Sequence, residues 1–271
     1  MKRTLSFVLA TALLLAFAAC GKVSSTPAEK TVLQTEGTAP ETTFETAANT
    51  ATMVDKQSVT YSYEIHTALE KTHTDPGGGV IEFQFSRPFF AETSPLAKTA
   101  NQVYDQAEAE YRSRMEEVVA DYGGDPYPYG DVRYSTLLCT TSYEADGVVS
   151  FVLHGEWMMG GVHNSWDIGH TFDFNLGREL KLRDLLQGTD AQITAALENA
   201  FYEWYKQEEG SEFSGDEFDK NEIKKQSGPD ANFYLDKDGV HVFYEPYVIP
   251  ATQNGVDILF PWTSELVRQP S

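Results

Sequence analysis

The stretch from Trp157 to Leu186, WMMGGVHNSWDIGHTFDFNLGRELKLRDLL, constrains the fold more than any other part of the chain. A turn is expected through Gly160, Gly161, Val162, His163, Asn164 and Ser165, and strict alternation follows it. Ile168, His170, Phe172, Phe174 and Leu176 fall on one side of an extended segment, with Gly169, Thr171, Asp173 and Asn175 on the other. An apolar row opposite a polar row describes a strand with one face against a core. A Gly177-Arg178 turn then leads through Glu179-Leu180-Lys181-Leu182 to a helix approach at Arg183-Asp184-Leu185-Leu186.

The flanking segments supply partners for this strand. Val59, Tyr61, Tyr63 and Ile65 alternate with polar residues, and after Asp75-Pro76-Gly77-Gly78-Gly79 so do Ile81, Phe83 and Phe85, which predicts two antiparallel strands. Ser94 as a cap with Pro95 at the first helical position opens a helix. Its apolar line is Leu96, Ala100, Val103, Ala107, Tyr111, Met115, Val118 and Tyr122, and it stops at Gly123-Gly124. The opposite side, with Glu108, Glu110, Arg112, Arg114, Glu116 and Glu117, reads as a solvated face. Beyond a Pro-Tyr loop at 125–130, Val132, Tyr134, Thr136 and Leu138 begin a strand that turns at Glu144-Ala145-Asp146-Gly147. Val149, Phe151, Leu153 and Trp157 continue on the next strand. Asp190 is the expected cap of a second helix buried along Ile193, Leu197, Ala200, Phe201 and Trp204. Gln207 to Asp230 reads as a charged loop; its carboxylates lack the spacing of a calcium-binding EF-hand. A hairpin from Phe233 through Asp238-Gly239 to Tyr244 and a final strand at Val256, Ile258, Phe260 and Trp262 complete the pattern. The order implies an α+β fold, with antiparallel sheets, helices packed on one face and two closely packed lobes after a disordered tether.

The N-terminus explains the tether. Lys2 and Arg3 precede an apolar run from Leu5 to Ala19, shorter than the roughly 20 residues of a bilayer span, which fits a secretory signal over residues 1–19. Phe17-Ala18-Ala19-Cys20-Gly21 resembles a lipoprotein signal in which Cys20 is lipidated, and cleavage after Ala16-Phe17-Ala18 is the rival reading. Residues 20–53 are rich in Thr, Ala, Glu and Pro, with Phe44 the one aromatic residue, too little apolar surface to offset ordering entropy. Once Cys20 carries lipid, Cys139 has no cysteine to pair with, so the exported fold rests on its core. Loss of Lys2 and Arg3 with the signal takes the net charge from -21 to -23. Such a surface repels nucleic acid and anionic head groups and favours cationic partners; the competing reading is that acidity serves solubility alone.

One resemblance covers the second half. A Gly-Gly-x-His turn (Gly160, Gly161, His163), the Phe172-Asp173-Phe174-Asn175-Leu176 strand, Gly177, and Glu179-Leu180-x-Leu182-x-Asp184-Leu185-Leu186 occur in order. Phe233-Tyr234-Leu235, Gly239, Tyr247, Ile249, Gly255, Pro261 and Leu266 follow them. This resembles the extracytoplasmic domain shared by the RsiV anti-sigma factor and the PdaC peptidoglycan deacetylase. The resemblance implies residues 54–124 as an N-terminal β-β-α lobe and 125–271 as the RsiV/PdaC-like domain, with a boundary near Asp125. It also implies recognition of a protein, such as the basic protein lysozyme, or of a peptidoglycan-type polymer.

Catalytic motifs are lacking in the sequence: it has no Gly-x-Ser-x-Gly elbow, no P-loop and no dinucleotide fingerprint. His154, His163 and His170 with Glu156, Asp167 and Asp173 are the candidates for a hydrolase or metal site. His163 and His170 do not have the spacing of a helical zinc motif, so no metal or cofactor is expected. His170 reads as a hydrogen-bonded core residue and His163 as exposed by its Gly-rich turn. The expectation is a lipid-anchored, non-catalytic binding or sensing protein of the cell envelope. Its ligand-binding residues would be His163, Asn164, Trp166 and Trp157, with Gly160 and Gly161 shaping the loop. Two alternatives stay open: the tryptophans cap the core, or a wall hydrolase or metal-dependent enzyme is centred on the Gly-Gly-Val-His loop.

Overall fold

The computed structural model describes residues 60–122, 133–209, 220–249 and 253–270, all within one unit that runs from Asp55 to Ser271. The expected signal, Cys20, the tether, Gly123-Gly124 and the Asp125 boundary lie outside the described residues.

The six-stranded sheet runs in sequence order: β1 (Tyr63–Thr74), β2 (Val80–Phe90), β3 (Arg133–Ala145), β4 (Val148–Met159), β5 (Val162–Asp173) and β6 (Arg178–Glu179). A long helix, α1 (Pro95–Tyr122), connects β2 to β3. That crossover makes β2 and β3 a parallel pair, the one departure from the expected antiparallel order, and it continues a single sheet from the first strands into the later ones. The expected cap forms, Ala97 N donating to Ser94 Oγ at 3.1 Å. α1 buries Leu96, Ala97, Ala100, Tyr104, Tyr111 and Met115 against Phe83, Phe85, Phe151, Leu153 and Phe172 of the sheet. Tyr104 takes the fully buried place that the apolar line gave to Val103. Glu108 is no part of a solvated face, because Arg87 on β2 lies 3.3 Å from it and Arg112 2.7 Å. Near the far end of the helix, Asp75 and Arg133 form a buried ion pair at 2.6 Å that ties the β1–β2 turn to β3.

The second lobe holds α2 (Leu182–Leu185), α3 (Asp190–Glu209), α4 (Lys220–Gln226) and a three-stranded sheet of β7 (Phe233–Leu235), β8 (Gly239–Tyr244) and β9 (Val256–Pro261). The cap of α3 is Thr189, not Asp190. Gln192 N donates to Thr189 Oγ1 at 3.3 Å and Thr189 N to Gln192 Oε1 at 2.9 Å, a capping box that leaves Asp190 in the first turn. α3 buries Ile193, Leu197, Phe201 and Tyr205 against β7–β9. α4 falls within the segment expected to be loop; one apolar residue, Ile223, holds it to the core, too few for a periodic signal.

The two lobes meet across β4 and β5. Gly169 touches the second sheet so closely that a Cβ there would lie 1.7 Å from the Phe233 carbonyl oxygen. Ser150 Oγ lies 2.8 Å from Thr171 Oγ1 and accepts from Leu235 N at 3.0 Å. Ser150 and Thr171 are therefore buried; Asp173 is buried too, its carboxylate accepting from Asn175 N and Leu176 N at 2.9 Å in the turn after β5, although alternation placed Thr171 and Asp173 on a solvent face.

Candidate functional site

The turn at the centre of the sequence argument is shorter than expected. Gly160 (φ 62°) and Gly161 (φ 77°) are the two central residues of a tight hairpin joining Met159 to Val162, and both need the positive φ that such a turn requires. His163, Asn164, Ser165 and Trp166 are consequently strand residues of β5. Because side chains alternate along a strand, the four residues separate onto two faces.

Trp157 and Trp166 lie on the α1 side. Trp157 is part-buried against the core around α1, its ring 6.2 Å from that of Tyr122. Trp166 lies across Gly155, its strand partner, where a Cβ would meet the indole at 2.2 Å. Asn164 faces the same way and lies 2.7 Å from the Tyr247 hydroxyl. Tyr247 is held at φ 64°, a conformation uncommon for a bulky residue. The neighbouring Ser165 carbonyl accepts from Gly255 N at 3.0 Å. The segment before β9 thus covers the open edge of β5, and the Asn232 amide continues the cover by accepting from Gly169 N (2.9 Å) and donating to the Asp167 carbonyl (2.6 Å).

His163 points to the opposite face, where titratable residues gather. Its Nε2 is 3.9 Å from Glu156 Oε1, and Glu156 is 3.6 Å from His154 Nε2. His154 Nδ1 is bound to Asp167 Oδ1 at 2.7 Å. On the second sheet, His241 lies between Asp257 (2.9 Å) and Asp236 (3.2 Å), stacked on Tyr234 with ring centroids 4.6 Å apart. The Tyr234 hydroxyl donates to Asp257 Oδ2 at 2.7 Å. Burial raises the Asp167 carboxyl above the usual range, against the pull of His154. Burial is the largest influence on His241 and works to lower it, yet Asp257 and Asp236 together outweigh it and raise the imidazole. Burial, then Glu156, raises the Tyr134 hydroxyl beside His163. Sequence reasoning named His154, Glu156, Asp167 and His163 but missed Tyr234, Asp236, His241 and Asp257. The alternation of His241 with Val240 and Val242 on β8 was the available signal for the outward imidazole.

His170 bonds Glu179 through Nδ1 at 2.8 Å and packs its ring against Tyr104 and Phe172. Beside it, at the edge of β5, a cavity of about 250 Å³ is lined by Glu179, Lys181, Asp230, Asn232 and Phe233, among others. Cys139 is a buried thiol whose ionisation burial pushes up to about 12. Among the described residues no group of three or more His, Cys, Asp or Glu side chains is placed to hold a metal, and no helix is long and apolar enough to cross a membrane.

Residues 183–262, which span α2 to β9, match the family model DUF3298, described as a protein of unknown function. That match lies in the second lobe. A solved structure of a DUF3298 family member from Bacteroides fragilis NCTC 9343 shares the fold at TM-score 0.52 and 16% identity, covering 78% of this chain and 95% of its own. A DUF3298 family protein from Pseudomonas aeruginosa PAO1 aligns at TM-score 0.49 and 14% identity, over 76% of this chain and 95% of its own. No curated protein matches this chain.

Proposed function

We propose that this chain is an exported protein, lipid-anchored through Cys20 to the outer face of the cell membrane, whose folded part is a non-catalytic module that binds a basic protein. The observation that carries this reading is the charge of the face made by β4, β5, β8 and β9. Glu156, Asp167, Asp236 and Asp257 are each matched there by an imidazole, and among the described residues none of these four is ion-paired to Lys or Arg. Four carboxylates against three imidazoles give that face an excess of acidic groups, which steers cationic partners toward it and selects among them. His163 and Tyr134 add ring surface at its edge, with centroids 6.4 Å apart. The RsiV/PdaC-like pattern in the sequence supports the same assignment, since lysozyme is a basic ligand of that kind.

The test is a pull-down with the purified chain from a mixture of basic secreted proteins and soluble wall fragments. Retention of basic proteins that salt releases supports the reading. Retention of glycan alone, or of nothing, refutes it.

A further inference from the structure

The face that carries this charge is also the seam between the two lobes, and its chemistry has a consequence for the fold that does not depend on any ligand. Asp167 sits on β5, hydrogen-bonded to His154 of β4, and feels both Asp257 and His241 of the second sheet. From β5 outward the seam thus reads carboxylate, carboxylate, imidazole, carboxylate: Asp167, Asp257, His241, Asp236. The remaining titratable groups there are Tyr234 on β7, bonded to Asp257, Glu156 on β4, close to His154, and His163 on β5 with Tyr134 on β3, both beside Glu156. Lys237 and Asp238 in the β7–β8 turn pair with each other, and no other cation is paired with the seam's carboxylates among the described residues. Asp167, Asp236 and Asp257, with side chains 17%, 22% and 36% exposed, repel one another unless a proton is shared among them. The His241 side chain, only 12% exposed between two of them, is the group placed to carry that proton.

We propose that this array is a pH-sensitive clasp across the second sheet, holding the β7–β8 turn and β7 to β9, closed in acid and slackened in alkali. His241 is raised in the folded state, so its stabilisation is complete below its unfolded value of about 6.5 and is lost as pH rises through the folded value. Asp167 is also raised, so deprotonating it costs the folded state more than the unfolded chain, and the slope has the same sign. Asp236 is lowered: although burial opposes it, the backbone N–H groups of Asp238 and Gly239, together with His241, hold it ionised. Its contribution is therefore lost only in strong acid, below the window in which His241 acts. What slackens first is the three-stranded sheet itself, because both carboxylates that face His241, and the Tyr234 hydroxyl bonded to Asp257, belong to it, whereas β2 and β3 carry no member of the array.

Two measurements on the full chain test this. Thermal melting is followed from mildly acidic to alkaline pH for the wild type and for His241→Gln, with Asp257→Asn as a second variant should the first fail to fold. The expected result is a melting temperature that falls by several degrees as pH rises past about 6.5, with most of that slope removed in either variant. Amide hydrogen exchange, corrected for its intrinsic pH dependence, should show protection lost at high pH in 233–244 and 256–261 while β2 and β3 keep theirs. A wild-type melting temperature that is flat or rises through this window overturns the proposal. So does a slope that survives in the variants, or a loss of protection spread evenly over both sheets.

Discussion

Gly169→Ala is the substitution that the seam between the lobes should tolerate least. The new Cβ would lie 1.7 Å from the Phe233 carbonyl oxygen and 2.4 Å from its carbon, both backbone atoms that cannot rotate away. Restoring an ordinary carbon–oxygen contact of about 3.3 Å needs roughly 1.5 Å of separation between β5 and β7. A shift of that size breaks three hydrogen bonds that cross the seam: Gly169 N to Asn232 (2.9 Å), Asn232 to the Asp167 carbonyl (2.6 Å) and Leu235 N to Ser150 (3.0 Å). At about 1 kcal/mol each, with about 1–3 kcal/mol for overpacking, the cost is on the order of 5 kcal/mol. For a domain of this size that corresponds to a melting temperature lower by roughly 10–20 °C. Gly161→Ala is the matched control, because nothing lies within 4 Å of its Cβ position and only its positive φ is penalised, at about 1 kcal/mol. Thermal unfolding followed by circular dichroism compares the two. If Gly169→Ala melts alongside Gly161→Ala, the lobes are not packed backbone to backbone and the reasoning fails.

Other expectations follow from single sites. Phe201→Ala removes a fully buried ring packed 4.8 Å from that of Tyr244 and should cost about 3–5 kcal/mol in chemical denaturation. Cys139 should resist thiol-specific reagents in the native chain and react once denatured, because its thiol is buried and protonated at neutral pH. Trp166→Ala should lower the melting temperature by uncovering Gly155, whereas His163→Ala should leave it nearly unchanged. Cys20→Ala should move the protein from the membrane fraction to the medium or periplasm, as shown by fractionation and blotting.

What the sequence made legible were features whose signal is local. Ser94 and Pro95 announce the start of α1, Asp146-Gly147 announces a tight hairpin, and Asp238-Gly239 marks the turn into β8, whereas the turn at Gly160-Gly161 was expected to run on to Ser165. The errors arose where a distant segment changes what a residue faces. Gly169 and Thr171 belong to the polar row of an alternating strand, yet Asn232 and Leu235 of the second lobe bind that row, directly at Gly169 and through Ser150 at Thr171. Likewise Ser135 and Arg133 are inward on β3 where Tyr134, Thr136 and Leu138 looked the apolar choice, because Tyr111 and Asp75 meet them there. His163 and Trp166 were grouped as neighbours in a loop. Once β5 begins at Val162 their odd and even numbering sends them to opposite faces, His163 toward Glu156 and Trp166 across Gly155. The histidine and carboxylate array was hidden for a related reason: its members come from four strands and the β7–β8 turn, and no spacing in the chain records their meeting.

Recognition of a cationic protein by the anionic face is the central functional claim. Its most direct test is titration calorimetry of the full chain against lysozyme at low and at high salt, for the wild type and for Glu156→Gln combined with His163→Ala. The account predicts saturable binding at low salt that weakens as salt rises, because exposed charges are screened, and that weakens further in the double variant at unchanged melting temperature. Absence of binding at low salt, or an affinity indifferent to both salt and the two substitutions, would contradict it.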